Sequence, residues 1–319
     1  MDTQSATPFK PVGAGVLAID TEFVRPRMDA SHLIVADGRG AFVDTGTYHS
    51  VPNLLAALSF VELAPEDVDY ILLTHIHLDH AGGAGRLAEA LPRAKILVHP
   101  RGAAHLRDPS QLIAATKAVY GERAYEQYYG EILPVPADRL IAVEDAARWR
   151  LGRRTLEFIY TPGHALHHLC IVDRDAGEVF AGDTFGVSYR ELDTEAGEFV
   201  FAATTPSQFD PAQMHVSVDR ILQLRPNAVY LTHYSRVDEI DRLGADLHLD
   251  IDAYVAIARH CAAAPDRAAR IAARLYDHLS GRLDARGYTG DAALRHQLLD
   301  ADARLNAAGL DAWLTRTAP

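Results

Sequence analysis

Cysteine is scarce in this chain, with only Cys170 and Cys261 in 319 residues. They form no spacing pattern, which excludes a disulfide framework and a cysteine-rich zinc site. Lysine is nearly as rare: Lys10, Lys95 and Lys117 are the only three, so the basic residues are almost all Arg. The formal net charge is −12. That balance, with no basic patch or stripe, argues against a nucleic-acid surface. No apolar run has the length of a membrane span, and Met1 to Val12 is polar, without the apolar core of a signal peptide. These absences set the expectation of a cytoplasmic protein whose partner is a small-molecule substrate, not nucleic acid and not a membrane. There is also no solenoid-period repeat and no low-complexity linker.

What remains is ordinary for a globular chain: 48% hydrophobic and 23% charged residues. The length allows one or two domains. Short apolar strands and helical spacing alternate. Val16–Ile19, Ser31–Val35 and Ala41–Val43 read as strands around the turn Asp37-Gly38-Arg39-Gly40. Helical spacing follows over Pro52–Leu63, then a strand over Asp69–Thr74, a short helix over Ala84–Leu91 and a strand over Lys95–Val98. Residues 100–146 are less regular; Pro109–Tyr129 reads as one or two helices carrying Tyr120, Tyr125, Tyr128 and Tyr129. Those aromatics either pack on the core or wall the site. The second half repeats the logic, with strands over Thr155–Tyr160, His168–Asp173, Glu178–Ala181 and Ala228–Leu231 and a helix over Pro211–Leu224. The whole indicates a layered α/β fold. From about Val237 strand signals stop. We therefore expect one domain over 1–236 and a helical extension of three or four helices over 237–319. That extension either caps the site or forms an interface, which leaves a homodimer open.

The densest chemistry is His75-Ile-His77-Leu-Asp79-His80, directly after the apolar run Ile71-Leu72-Leu73. Imidazole nitrogens and carboxylate oxygens in that density suit a divalent metal and make a poor core element. Three more strands stop at candidate ligands: Phe158–Tyr160 at His164, Val179–Ala181 at Asp183, and Val229–Leu231 at His233. Five His and two Asp are more than one ion needs and suit two metals sharing a bridging group. His49, His99, His105, His215, His248, His260, His278 and His296 read as surface or core histidines. Of the neighbours His167 and His168, neither ranks as a ligand, though one can support the site.

These motifs resemble the metallo-β-lactamase-fold superfamily over roughly residues 14–236. The matching pieces are Asp44 after its strand, His75-Ile-His77-Leu-Asp79-His80, Thr161-Pro162-Gly163-His164, Gly182-Asp183 and Thr232-His233. The resemblance implies an αββα sandwich of two related halves, a mixed α/β fold, followed here by the helical extension. It also implies that His75, His77 and His164 hold a first metal, that Asp79, His80 and His233 hold a second, and that Asp183 bridges. Asp44 would support the first-metal ligands from behind. The ions would be zinc first, with iron or manganese as alternatives. The complete set is similar to the binuclear hydrolase branch, including glyoxalase II and the quorum-sensing lactonases. The chain departs from glyoxalase II between Asp183 and His233, where it carries an acidic loop (Glu191, Asp193, Glu195, Glu198) instead of a basic, cysteine-containing segment. It departs from the lactonases at Gly186, where they carry a tyrosine.

The implied function is a metal-dependent hydrolase in which a bridging hydroxide cleaves an ester-like bond: a thioester, a lactone or a related small substrate. Asp79 would double as ligand and proton shuttle. Tyr189, Arg190 and Tyr234 are candidate substrate contacts. Two other readings stand beside it. One is a mononuclear-iron enzyme of the persulfide dioxygenase type, using His75, His164 and Asp183. The other is a non-catalytic metal-binding module.

Overall fold

In the computed structural model, residues 7–204 and 208–318 are described. The chain divides into two compact units, one of Met1–Ile159 with Ile171–Phe180 and one of Tyr160–Cys170 with Ala181–Pro319.

The first unit opens with four antiparallel strands: β1 (Phe9–Gly13), β2 (Val16–Asp20), β3 (Ala30–Ala36) and β4 (Arg39–Val43). Helix α1 (Val51–Phe60), with Pro52 in its first turn, carries the chain back so that β5 (Val68–Leu72) pairs parallel with β4. A parallel pair needs such a crossover. It also brings the two C-terminal ends to the same sheet edge: Val43 stands opposite Leu72, and Asp44 N–H still donates to Leu72 O at 2.9 Å. The short turns α2 (Leu78–Ala81) and α3 (Ala84–Ala90) lead to β6 (Lys95–Val98), parallel to β5. Helix α4 (Pro100–Arg107) starts on Pro100 and is capped by His99, whose Nδ1 accepts from Arg101 N–H. Helices α5 (Ser110–Tyr120) and α6 (Glu122–Tyr128) then precede the edge strand β7 (Leu140–Ala142). Strands β1 to β7 form one sheet in chain order. Strands β8 (Arg148–Leu151), β9 (Arg154–Tyr160), β10 (Leu169–Asp173) and β11 (Glu178–Gly182) pair in order, with β8–β9 and β10–β11 antiparallel. They face the first sheet: Tyr70 meets Trp149 edge-on and His32 meets Phe180. One core, including Leu33, Phe42, Leu54, Ile71, Leu87 and Ile96, lies beneath the helices of the first sheet.

The second unit holds α7 (Pro211–Gln223), the hairpin β12 (Ala228–Leu231) and β13 (Ser235–Val237), and three long helices, α8 (Ile240–Cys261), α9 (Arg267–Ala285) and α10 (Ala292–Thr317). Apolar residues recur every four positions, as in Leu243, Leu247 and Ile251 on α8 and Ile271, Leu275, Leu279 and Leu283 on α9. That stripe buries each helix against its neighbours. α9 packs on α10, and α8 on α7. Among the described residues, no helix is long and apolar enough to cross a membrane.

The sequence reading misses β1, β7, β8, β13, α2 and α4. β8 alternates charge with apolarity in Arg-Trp-Arg-Leu, β1 contains Pro11, and β7, α2 and β13 are three or four residues long. All are too short or too polar for periodicity to register.

Candidate metal centre

In the first unit the parallel ends of β4 and β5 deliver Asp44 and Thr74-His75 side by side. Asp44 is 1% exposed and has φ +55°, a left-handed conformation that Asp tolerates better than most residues. Its Oδ1 accepts from Thr74 N–H at 2.9 Å; its Oδ2 accepts from Thr74 Oγ1 at 2.8 Å and from His80 Nδ1 at 2.8 Å. A carboxylate only accepts, so His80 Nδ1 carries the proton and His80 Nε2 keeps its lone pair. Thr74 Oγ1 spends its own proton on Asp44 and can only accept from His75 Nδ1, 3.1 Å away. His75 Nε2 is left as a donor atom by the same logic, and it lies 2.8 Å from His77 Nδ1. One buried carboxylate therefore sets the tautomers of two histidines, the usual outer support of metal-ligating imidazoles. The resemblance places Asp44 behind the first-metal ligands; it bonds His80 directly and is linked to His75 through Thr74.

His77 precedes α2, and that single turn brings Asp79 and His80 onto the same loop, with Asp79 Oδ2 3.8 Å from His80 Nε2. The loop is held from both sides. Thr45 N–H and Oγ1 donate to His80 O, and Gly83 N–H donates to Gly46 O at 2.9 Å. A Cβ on Gly83 would stand 2.8 Å from Thr47 O and 3.0 Å from Thr45 O, so only glycine permits this approach. On the other flank Leu78 packs into a cluster with Phe23, Tyr125 and Tyr129. The tyrosine-rich segment is thus core packing for the ligand loop, although Tyr120 stays 42% exposed. Burial, with the nearby Asp79 carboxylate, pushes the Tyr129 hydroxyl well above its ordinary pKa and keeps it protonated.

In the second unit the ends of β9, β11 and β12 deliver His164, Asp183 and His233. His164 follows Gly163, whose φ is +132° and whose Cβ would fall 2.4 Å from Met214 N at the start of α7. His164 Nδ1 donates to Ala203 O at 3.2 Å, which turns Nε2 toward Asp183 Oδ2, 3.2 Å away. The other oxygen, Asp183 Oδ1, lies 3.4 Å from His233 Nε2. Each oxygen of one carboxylate therefore faces a different imidazole. His168 is fully buried and supports this arrangement: Asp183 N–H donates to its Nε2, and its Nδ1 faces Thr161 Oγ1 and Thr184 Oγ1.

Ala203 is itself bracketed. Asn306 on α10 accepts from Thr204 N–H at 2.7 Å and donates to Ala202 O at 3.1 Å, while Ala202 N–H donates to Asp250 on α8. Asp250 is held by Arg282 and His278 of α9. All three extension helices thus feed the carbonyl that orients His164.

The candidate substrate contacts divide. Tyr189 is 2% exposed and its hydroxyl donates to Asp302. Arg190 folds back on Ser188 and pairs with Asp193 and Glu198. Both are engaged inside the unit. Tyr234 is half-buried beside His233.

A family model described as the metallo-beta-lactamase superfamily matches residues 24–233. The chain belongs to the metallo-beta-lactamase superfamily. Its mixed α/β fold matches that superfamily in three dimensions: the crystal structure of ST1585 from Sulfolobus tokodaii aligns with TM-score 0.64 at 23% identity, covering 94% of this chain and 99% of that one. In sequence, the metallo-beta-lactamase fold-containing protein ST1585 of Sulfurisphaera tokodaii is 29% identical over 65% of this chain and 73% of its own length. A hydroxyacylglutathione hydrolase of Xanthomonas euvesicatoria is 31% identical over 58% of this chain and 54% of its own length. The acyl-coenzyme A thioesterase MBLAC2 of Gallus gallus is 28% identical over 54% and 64%. The chain thus spans only part of these superfamily relatives. Its His and Asp side chains form clusters that suit a metal ion, and the superfamily includes metal-dependent hydrolases.

Proposed function

We propose that this chain is a metal-dependent hydrolase of ester-like bonds, in which His75, His77, Asp79, His80, His164, Asp183 and His233 hold two divalent ions. The single observation that carries the reading is Asp183, whose two oxygens face the Nε2 atoms of His164 and His233. A carboxylate so disposed is suited to bridging. The donor set, five imidazoles and two carboxylates, is more than one ion needs and suits two. Tautomers set by Asp44 and by Ala203 O leave Nε2 of His75, His80 and His164 unprotonated, so the residues fit the metals that the superfamily implies.

When bound, the ions supply a Lewis acid for the scissile carbonyl and a water of lowered pKa. Asp79, which is 20% exposed at its side chain, is the carboxylate that would hold and pass on a proton. Phe23, Tyr125 and Tyr129 pack around Leu78 and keep bulk water from that flank of the loop. The relatives named as a thioesterase and a hydroxyacylglutathione hydrolase support a thioester or a similar small ester as the bond cleaved.

The test pairs metal analysis with a thioester and lactone panel. Two divalent ions per chain are expected, with hydrolysis lost in His77→Ala and in Asp183→Asn. Unchanged hydrolysis in His77→Ala sinks the mechanism. One iron per chain without hydrolysis moves the reading to the dioxygenase type, and metal-free protein whose melting temperature ignores added zinc moves it to a binding module.

A further inference from the structure

The outer faces of α7 and α8 carry a second set of ligand-type side chains, remote in sequence from the motifs above. His215 and Asp219 lie four residues apart on α7, and His248 and Asp252 lie four apart on α8, so each pair shares a helix face. The pairs cross. His215 Nε2 lies 3.2 Å from Asp252 Oδ1, and His248 Nε2 lies 3.0 Å from Asp219 Oδ1. Between them, His215 Nδ1 and His248 Nδ1 are 2.6 Å apart. The ring planes differ by only 9° with centroids 4.9 Å apart, so the rings meet edge to edge through these two nitrogens.

The protonation states follow from the partners. Carboxylates only accept, so both Nε2 atoms carry protons and both Nδ1 atoms of the neutral rings present lone pairs. Two lone pairs at 2.6 Å repel unless an electrophile sits between them. A single shared proton satisfies this geometry, and so does a metal ion. Several features favour a metal. Imidazole nitrogen suits zinc, copper and nickel. An Nε2–H held by a carboxylate is the device that orients metal-ligating histidines. Two carboxylates match the charge of a divalent cation. Two nitrogens on one ion stand about 3 Å apart, given metal–nitrogen bonds of about 2 Å. The rings need to part only slightly, and imidazoles 30% and 27% exposed can pivot outward to do so.

We propose that His215 and His248 form a second metal-binding site on α7 and α8, taking one divalent transition-metal ion through their Nδ1 atoms in exchange for the shared proton, with Asp219 and Asp252 holding the rings. The site is independent of the hydrolytic reading.

The probe is Cu2+ alone, titrated into the full chain and into His215→Ala/His248→Ala, with binding followed by calorimetry and electron paramagnetic resonance. The double variant is expected to bind one equivalent fewer and to lose a signal from copper with two nitrogen ligands, while ester hydrolysis stays unchanged. Asp219→Asn, which keeps the fold and both imidazoles, is expected to weaken that equivalent by about 10–100-fold. Equal stoichiometry in the full chain and the double variant overturns the proposal. So does an equivalent that persists undiminished in His248→Gln, and so does a histidine pair that only exchanges a proton and shows no copper signal.

Discussion

Asn306 is the most informative residue to remove, because it is far from every candidate ligand in sequence yet one bond from the backbone that orients His164. Its side chain accepts from Thr204 N–H at 2.7 Å and from Thr204 Oγ1 at 3.1 Å, and donates to Ala202 O at 3.1 Å. Ala202 is 0% exposed and Thr204 5%. In Asn306→Ala the Thr204 N–H and the Ala202 carbonyl lose these partners in a buried setting. Each such loss costs about 1–3 kcal/mol, so the total is about 2–6 kcal/mol. Relaxation of residues 202–204 can recover part of that by moving Ala203 O, and the movement releases His164 Nδ1. Urea unfolding should therefore show the destabilisation, and chelator competition should show zinc affinity falling about tenfold or more. Asn306→Asp keeps the acceptor for Thr204 but faces Ala202 O with a carboxylate, so it should fall between the two. If Asn306→Ala unfolds within 0.5 kcal/mol of wild type and binds zinc equally well, the bracket around Ala203 does not position His164.

Three further outcomes follow from the same geometry. Asp44→Asn presents an amide N–H to His80 Nδ1–H and to Thr74 Oγ1–H in place of an acceptor; zinc affinity should drop about 10–100-fold, and unchanged affinity would show that His80 does not need this tautomer. Gly83→Ala drives a Cβ to 2.8 Å from Thr47 O; it should cost about 1–3 kcal/mol in thermal or urea unfolding and reduce hydrolysis with it. His32 is buried and its pKa is depressed to about 4, chiefly by desolvation and against the pull of Asp44. Its neutral form is the folded form, so its contribution is intact above pH 6.5 and is lost as pH falls toward 4, about 3 kcal/mol in all. A neutral isostere at position 32 should flatten the stability–pH curve across that window.

The sequence shows most of what lies close together along the chain. His75 to His80 is legible because four ligand types crowd into six residues after one apolar strand. His164, Asp183 and His233 are legible because each ends a strand. Asp44 is legible as a supporting residue, but its partner is not, because the choice between His75 and His80 depends on the turn of α2, four residues too short to leave a periodic trace. Thr74 passes unnoticed as a strand residue, although its hydroxyl is the link from Asp44 to His75. Tyr189 looks like a substrate contact beside the acidic loop; its partner Asp302 lies 113 positions away, and no local pattern announces such a pairing. Asn306 is silent for the same reason. His215 and His248 look like unremarkable helix-surface histidines until the packing of α7 on α8 sets one against the other.

The link from Asn306 to Ala203 bears on how the gene for this protein can be cut. A shortened version ending at residue 236 would encode all seven candidate ligands and would look complete by motif. It would lack Asp250, Arg282 and Asn306, which hold Val200, Ala202 and Thr204. Such a fragment would keep the donor atoms and lose the scaffold that aims one of them. Library designs, domain fusions and searches for minimal versions should therefore treat α10 as part of the scaffold of the candidate metal centre, not as a removable tail.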